Sequence, residues 1–150
     1  MKVIIVTGTP GTGKTKIAKK ISKEKKYIYL DVKSLIKKNK LNESYDHARK
    51  TYVVDTNKLN RIIVSDYINS LKKDKKIKGI VIDSHLSHYI PPKYVDLCIV
   101  TKCGLKKLKK RLEKRGYTKK KVRENLDCEI FDICLNEAKE AGHKIKVINT

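Results

Sequence analysis

Residues 2–15 read Lys-Val-Ile-Ile-Val-Thr-Gly-Thr-Pro-Gly-Thr-Gly-Lys-Thr, and this stretch decides the fold class. Lys2–Thr7 is an almost unbroken β-branched run, as expected of a central strand buried on both faces. Gly8–Thr15 matches GxxxxGK[ST] at every fixed position, and the spacing of Ile17, Ala18 and Ile21 behind it is helical. Strand, glycine loop and helix in that order are what phosphate binding requires. The glycines admit positive φ, so backbone N–H groups can converge on phosphate oxygens. The helix that follows turns its positive end toward the same anion. In such a loop Lys14 reaches the β- and γ-phosphates, and the Thr15 hydroxyl ligates Mg²⁺.

Outward from the loop, four more strands are expected, at 27–30 (YIYL), 79–83 (GIVID), 95–100 (VDLCIV) and 144–148 (KIKVI). A short helix containing Leu35 and Ile36 follows a cap at Asp31 or Ser34. Residues 40–50 read as polar and irregular. Leu59, Ile62, Ile63, Tyr67 and Leu71 mark an amphipathic helix, and Leu105, Leu108 and Leu112 another that Gly116 ends. Residues 118–141 are expected to form the longest helix, with Gly142 as its C-cap. Strands alternating with helices predict an α/β fold, a five-stranded parallel sheet flanked by helices. The 150 residues fit a single domain, 1–150.

The formal charge is +21, and only five of the basic residues are arginine (49, 61, 111, 115 and 123). The lysines read either as decoration of solvated helix faces or as a field that attracts polyanions, nucleotides and RNA among them. No apolar run is long enough to span a membrane, and the N-terminal strand is too short for a signal peptide. The cysteines at 98, 103, 128 and 134 form no CxxC pair. They are expected to be reduced and mostly buried thiols of a cytoplasmic protein.

Asp83 ends a strand, where it reads as the carboxylate of a magnesium shell or as a cap on the next turn. His85, two residues on, is either an ordinary loop histidine or a group that orients water near the γ-phosphate. His47 and His88 are expected at the surface. Arg111 and Arg115 share a helix face four residues apart, with Arg123 just beyond. In a chain that elsewhere uses lysine, this pair reads as guanidinium groups closing over a transferring phosphate, against the alternative of a solvated face. No NKxD-like motif is found, which disfavours a GTPase switch.

Taken together, GTPGTGKT, Tyr45-Asp46 with Val53-Val54-Asp55, Ile82-Asp83-Ser84-His85, RLEKRGY at 111–117 and ENLDCEIF at 124–131 resemble the small adenylate kinases of archaea and eukaryotic nuclei, the isoenzyme-six type. The resemblance covers nearly the whole chain. It implies a P-loop fold of the nucleoside monophosphate kinase kind, an AMP-binding insert at about 31–54 and a short lid at about 110–120. It implies Mg-ATP and AMP as substrates, with a side ATPase activity. By position it implies ATP contacts from Gly11, Thr12, Gly13, Lys14, Thr15, Lys16 and Arg111, and AMP contacts from Lys37, Asp46, Arg49 and Asp55. Lys14, Asp83, His85, Arg111 and Arg115 take the catalytic roles, and Thr15 and Asp83 the metal. A small-subunit ribosomal protein and rRNA are the partners the family implies, through ribosome maturation. Relatives have arginine in a Leu-Ala-Arg context where this chain has Leu35-Ile36-Lys37. Lysine keeps the charge but lacks the bidentate fork, and Arg49 is placed to supply the missing contact.

Overall fold

The computed structural model describes residues 1–46 and 51–150, with side chains except at 42–46 and 51–52. Its strands are β1 (Lys2–Gly8), β2 (Ile28–Asp31), β3 (Asn42–Asp46), β4 (Thr51–Val54), β5 (Gly79–Asp83), β6 (Leu97–Lys102) and β7 (Ile145–Asn149). Five of them form one sheet in the order β2-β5-β1-β6-β7, and every pairing in it is parallel. β1 is central, as its apolar run predicts, and Val3–Thr7 are all buried. Its register sets Val6 beside Asp83 on one side and Thr7 beside Val100 on the other. Chain connections run to opposite sides of β1, so the crevice for ligands opens at its carboxyl end.

The helices are α1 (Lys14–Lys25), α2 (Val32–Lys38), α3 (Thr56–Ile62), α4 (Ser70–Lys72), α5 (Leu105–Lys114), α6 (Lys119–Ile130) and α7 (Ile133–Ala141), with a π-helical stretch, Ile63–Asn69, joining α3 to α4. On one face of the sheet Val3, Ile5, Ile80 and Ile82 pack with Leu59, Ile63, Ile68 and Ala138. On the other, Ile4, Val6, Val81 and Ile99 pack with Ala18, Ile17 and Ile21 of α1. A third, small cluster of Cys103, Leu108, Leu112 and Val122 holds α5 to α6. Burying each of those leucines contributes about 1.5–3 kcal/mol.

Three expectations need correction. The stretch taken as irregular contains a two-stranded antiparallel ladder, β3 with β4, in which Tyr45 faces Tyr52. The helix expected over 118–141 is two helices, because Asp132 takes a left-handed φ of 50° between α6 and α7. Its carboxylate pairs with Lys102, which also binds Glu129, and these contacts fix the break. His88 is not at the surface: it is 2% exposed, packed between β1 and α7. His47 lies outside the described residues.

Of the other expectations, Asp31 caps α2 by accepting from Lys33 N, and Gly142 closes α7 at φ 90°. Cys98 and Cys103 are buried, Cys128 and Cys134 half-buried, and all four are free thiols.

Candidate phosphate-transfer site

The loop after β1 is held by its own threonines. Thr12 Oγ1 donates to Thr9 O at 2.6 Å and lies 2.7 Å from Thr101 Oγ1 on β6, while Thr101 Oγ1 donates to Thr7 O. Thr7, Thr9, Thr12 and Thr101 are all buried. Gly11 adopts φ 90°, and a Cβ there would come within 2.9 Å of Leu108 Cδ1 on α5. Only glycine fits, for both the dihedral and the space. Gly13 precedes α1 with no side-chain cap, and α1 has no acidic residue in its first turn. The N–H groups of that turn therefore remain open to an anion.

Lys14 Nζ donates to Thr9 O at 3.2 Å. Burial pulls its ammonium down to about 8, offset by the attraction of Cys134 and Asp83 and reinforced by Arg115 and Lys33. Thr15 Oγ1 donates to Asp83 Oδ2 at 2.7 Å, and Tyr29 Oη donates to the same oxygen at 2.7 Å. A hydroxyl and a carboxylate side by side are hard oxygen donors of the kind Mg²⁺ takes. Mg²⁺ commonly completes its shell with phosphates and water rather than with a protein cage. Among the described residues no cluster of three His, Cys, Asp or Glu could hold a metal.

His85 stands beyond Asp83 with an exposed edge, yet protein crowds the rest of the ring. That crowding, then the Lys14 charge, lowers its pKa to about 4. The imidazole is thus neutral at physiological pH. Arg111 Nη1 donates to Gly11 O at 3.1 Å and to Thr150 Oγ1 at 3.2 Å, bracing α5 on the loop. Arg115 is exposed at the end of α5, close enough to Lys14 to disfavour its charge. Arg123 is paired with Asp127 at 3.2 Å on the surface. Lys16 and Lys37 are exposed. Asp55 caps α3, accepting from Asn57 N and Lys58 N. Asp46 ends β3, and Arg49 lies outside the described residues.

Sequence reasoning missed Tyr29, Thr101 and Glu129. Glu129 is buried and accepts from Thr9 Oγ1, Cys103 N and Lys102 Nζ, tying α6 to the loop. Tyr29 was open to detection, since alternation in β2 puts it on the α1 side of the sheet. A cleft of about 890 Å³ lined by Asn60, Arg61, Tyr89, Lys93 and Tyr94 contains no residue of the phosphate loop. The site is therefore assigned from donors and charges rather than from concavity.

A family model described as an AAA domain matches residues 4–132. A protein of Methanosarcina acetivorans, provisionally named an adenylate kinase, is 40% identical over 99% of this chain and 77% of its own length. The adenylate kinase isoenzyme 6 homolog of Schizosaccharomyces pombe is 37% identical over 92% of this chain and 74% of its own length. A solved sugar kinase from Janibacter sp. shares the fold at a TM-score of 0.64 and 15% identity, covering 99% of this chain and 85% of its own. The chain belongs to the AAA-domain P-loop proteins and, among them, to the adenylate kinase isoenzyme-six family.

Proposed function

We propose that this protein is an adenylate kinase that moves the γ-phosphoryl group of ATP onto AMP, giving two ADP. The observation that carries the reading is the Thr15–Asp83 pair, at 2.7 Å, beside Lys14 at the uncapped start of α1. The loop N–H groups and Lys14 bind the β- and γ-phosphates, with Gly11, Thr12, Gly13 and Lys16 shaping or flanking that cradle. Thr15 and Asp83 would hold Mg²⁺, which supplies charge neutralisation between the phosphates. Arg111 and Arg115 offset charge from the lid at about 110–120 and help exclude water. The AMP phosphate oxygen is already ionised at neutral pH, so the step needs positioning and no protein nucleophile. AMP is assigned to the insert at about 31–54, with Lys37, Asp46, Arg49 and Asp55 as its contacts. The test is ADP formation followed with and without AMP. A strong dependence on AMP is expected, and an unchanged rate sinks the kinase reading.

A second reading, an ATPase that assists small-subunit ribosome assembly in the cytoplasm, is favoured by the +21 charge and the neutral His85. A ribosomal protein and rRNA would be its partners. Hydrolysis must orient and deprotonate a water, a task that suits a neutral imidazole. His85→Ala is therefore expected to lower hydrolysis by roughly 10²-fold and transfer to AMP by clearly less. Equal losses in the two rates would remove His85 from water activation.

A further inference from the structure

Among the described residues, His88 is the one buried histidine that joins three elements through hydrogen bonds at both ring nitrogens. Its Nε2 lies 2.6 Å from Glu137 Oε2 on α7, and its Nδ1 lies 2.6 Å from Thr7 Oγ1 at the end of β1. Its own carbonyl accepts from His143 Nε2 at 2.9 Å. The Thr7 hydroxyl lies 3.3 Å from a second acceptor, the carbonyl of His85.

The protons can be assigned by counting. An ionised carboxylate only accepts, so Nε2 carries the hydrogen and donates it to Glu137. In a neutral imidazole Nδ1 is then a bare acceptor, and Thr7 is the donor beside it. Thr7 has one proton and two acceptors, at 2.6 Å and 3.3 Å, and the shorter contact takes it. The His85 carbonyl is left at the margin of that bond, near Thr7 but not tied to it.

The geometry points to Glu137, His88 and Thr7 as a positioning relay for the transfer site, in which the ring of His88 locks the Ser84–Ile90 loop to the last residue before the phosphate loop and so fixes where His85 stands beside Lys14. The inference rests on the role proposed above for His85 in hydrolysis, which the His85→Ala comparison tests separately, and it makes His88 a positioning residue rather than a catalytic one. Burial lowers the His88 pKa, while Glu137 opposes the shift and His143 adds to it, so the ring stays neutral as the count requires. Tyr89 gives Glu137 a further hydrogen bond, which helps keep the carboxylate ionised. The same loop is stapled independently: Ser87 Oγ donates to Val6 O at 3.1 Å and Ser84 N to Val6 O at 3.2 Å. Those bonds secure its backbone without His88, which leaves the histidine's side chain to set the finer placement of His85.

The test compares Thr7→Val with Thr7→Ser in the full chain, since the first deletes the hydroxyl at nearly constant shape and the second restores it. Transfer to AMP, hydrolysis without AMP and the KM for ATP are measured on the same preparations, and the His88 tautomer is read from its ring ¹⁵N shifts. The wild-type protein is expected to show an Nε2–H ring. Thr7→Val should lose about tenfold in the kcat of hydrolysis, less than the roughly 10²-fold that a positioned acid–base group itself contributes, with KM for ATP within twofold and a smaller loss in transfer. Thr7→Ser should recover most of both. An Nδ1–H tautomer, a Thr7→Val protein with both rates within twofold of wild type, or equal losses in both rates unrescued by serine would each overturn the relay. Failure of the kinase reading appears separately, as AMP-independent ADP formation by the wild-type protein, and the hydrolysis arm still tests the relay.

Discussion

The phosphate loop and the α5–α6 arm touch at Gly11, yet they are built by different means. The loop is stitched largely by buried threonines: Thr12 and Thr101 spend their hydroxyls on one another and on the Thr9 and Thr7 carbonyls, while the Thr9 hydroxyl reaches Glu129 and that of Thr7 reaches His88. The arm leans on a cluster of four apolar side chains, on Arg111 and on buried Glu129, and its outer face is mostly lysine and arginine. Preorganised donors act on a developing charge without rearranging at the moment of reaction. An arm packed on a small cluster of its own can instead move as a unit to close over substrate. On the reading proposed above, chemistry belongs to the loop and closure to the arm, and substitutions on the two sides should differ in size and in kind.

The largest effect belongs to the loop. Lys14→Ala should lower kcat/KM by about 10³-fold, since one preorganised contact to a transition state contributes roughly 3–4 kcal/mol. The fold should hold, because the ammonium is desolvated and its loss removes an unfavourable burial. A variant keeping a tenth of wild-type activity would take the loop out of the mechanism. Asp83→Asn should follow, with about a 10²-fold loss in transfer and hydrolysis alike and a raised Mg²⁺ requirement. Tyr29→Phe, which removes one support of the same oxygen, should cost about tenfold, the lower end for a residue that orients a metal ligand. A Tyr29→Phe loss as large as that of Asp83→Asn would show the phenol touching substrate directly.

On the arm the expected effects are smaller and fall on kcat. One nitrogen of Arg111, Nη1, braces both Gly11 O and Thr150 Oγ1 and leaves the rest of the guanidinium for phosphate; Arg111→Lys keeps the charge but has a single nitrogen for both tasks, and about a tenfold loss is expected. Arg115→Lys should cost less, because Arg115 is exposed and makes no such brace. Unchanged steady-state kinetics in both variants would reduce the arm to a solvated face and dissolve the contrast with the loop.

How far the sequence disclosed all this differs between the same two regions. The loop was legible because its constraint is local: glycines at fixed spacing, a β-branched strand before and a helix after. Strand β5 and its terminal Asp83 were legible for the same reason. The break at Asp132 was not, since no glycine or proline marks it. It follows from Lys102 on β6 drawing in Asp132 and Glu129, a contact between positions about thirty apart in the chain. The β3–β4 ladder was hidden by polar composition, which mimics a loop. His88 was misjudged because a histidine's burial depends on partners, here Thr7 and Glu137, that only the fold brings near. On the AMP side, Arg49 lies outside the described residues, and Asp55 is engaged as the cap of α3.

The smallest expected effect is in pH, and it separates loop from arm without any substitution. Lys14 in the folded protein titrates at about 8, against 10.5 for the free side chain. Below about 8 it is charged and ready for phosphate; above, the free enzyme loses that cation from the loop. Since kcat/KM reports groups of the free enzyme, it should fall about fourfold between pH 7 and 8.5. Bound phosphates favour the ammonium, so kcat should stay nearly level over the same range. The stability linkage runs the other way. Between about 8 and 10.5 the unfolded chain binds the proton that folded Lys14 has released, so this group's contribution to stability rises with pH. Loss of kcat/KM with kcat and thermal stability retained would therefore place the titration at Lys14 in the loop. A profile level to pH 9 would mean that the free loop keeps its cation, and a parallel fall in kcat would mean that nucleotide does not shield it.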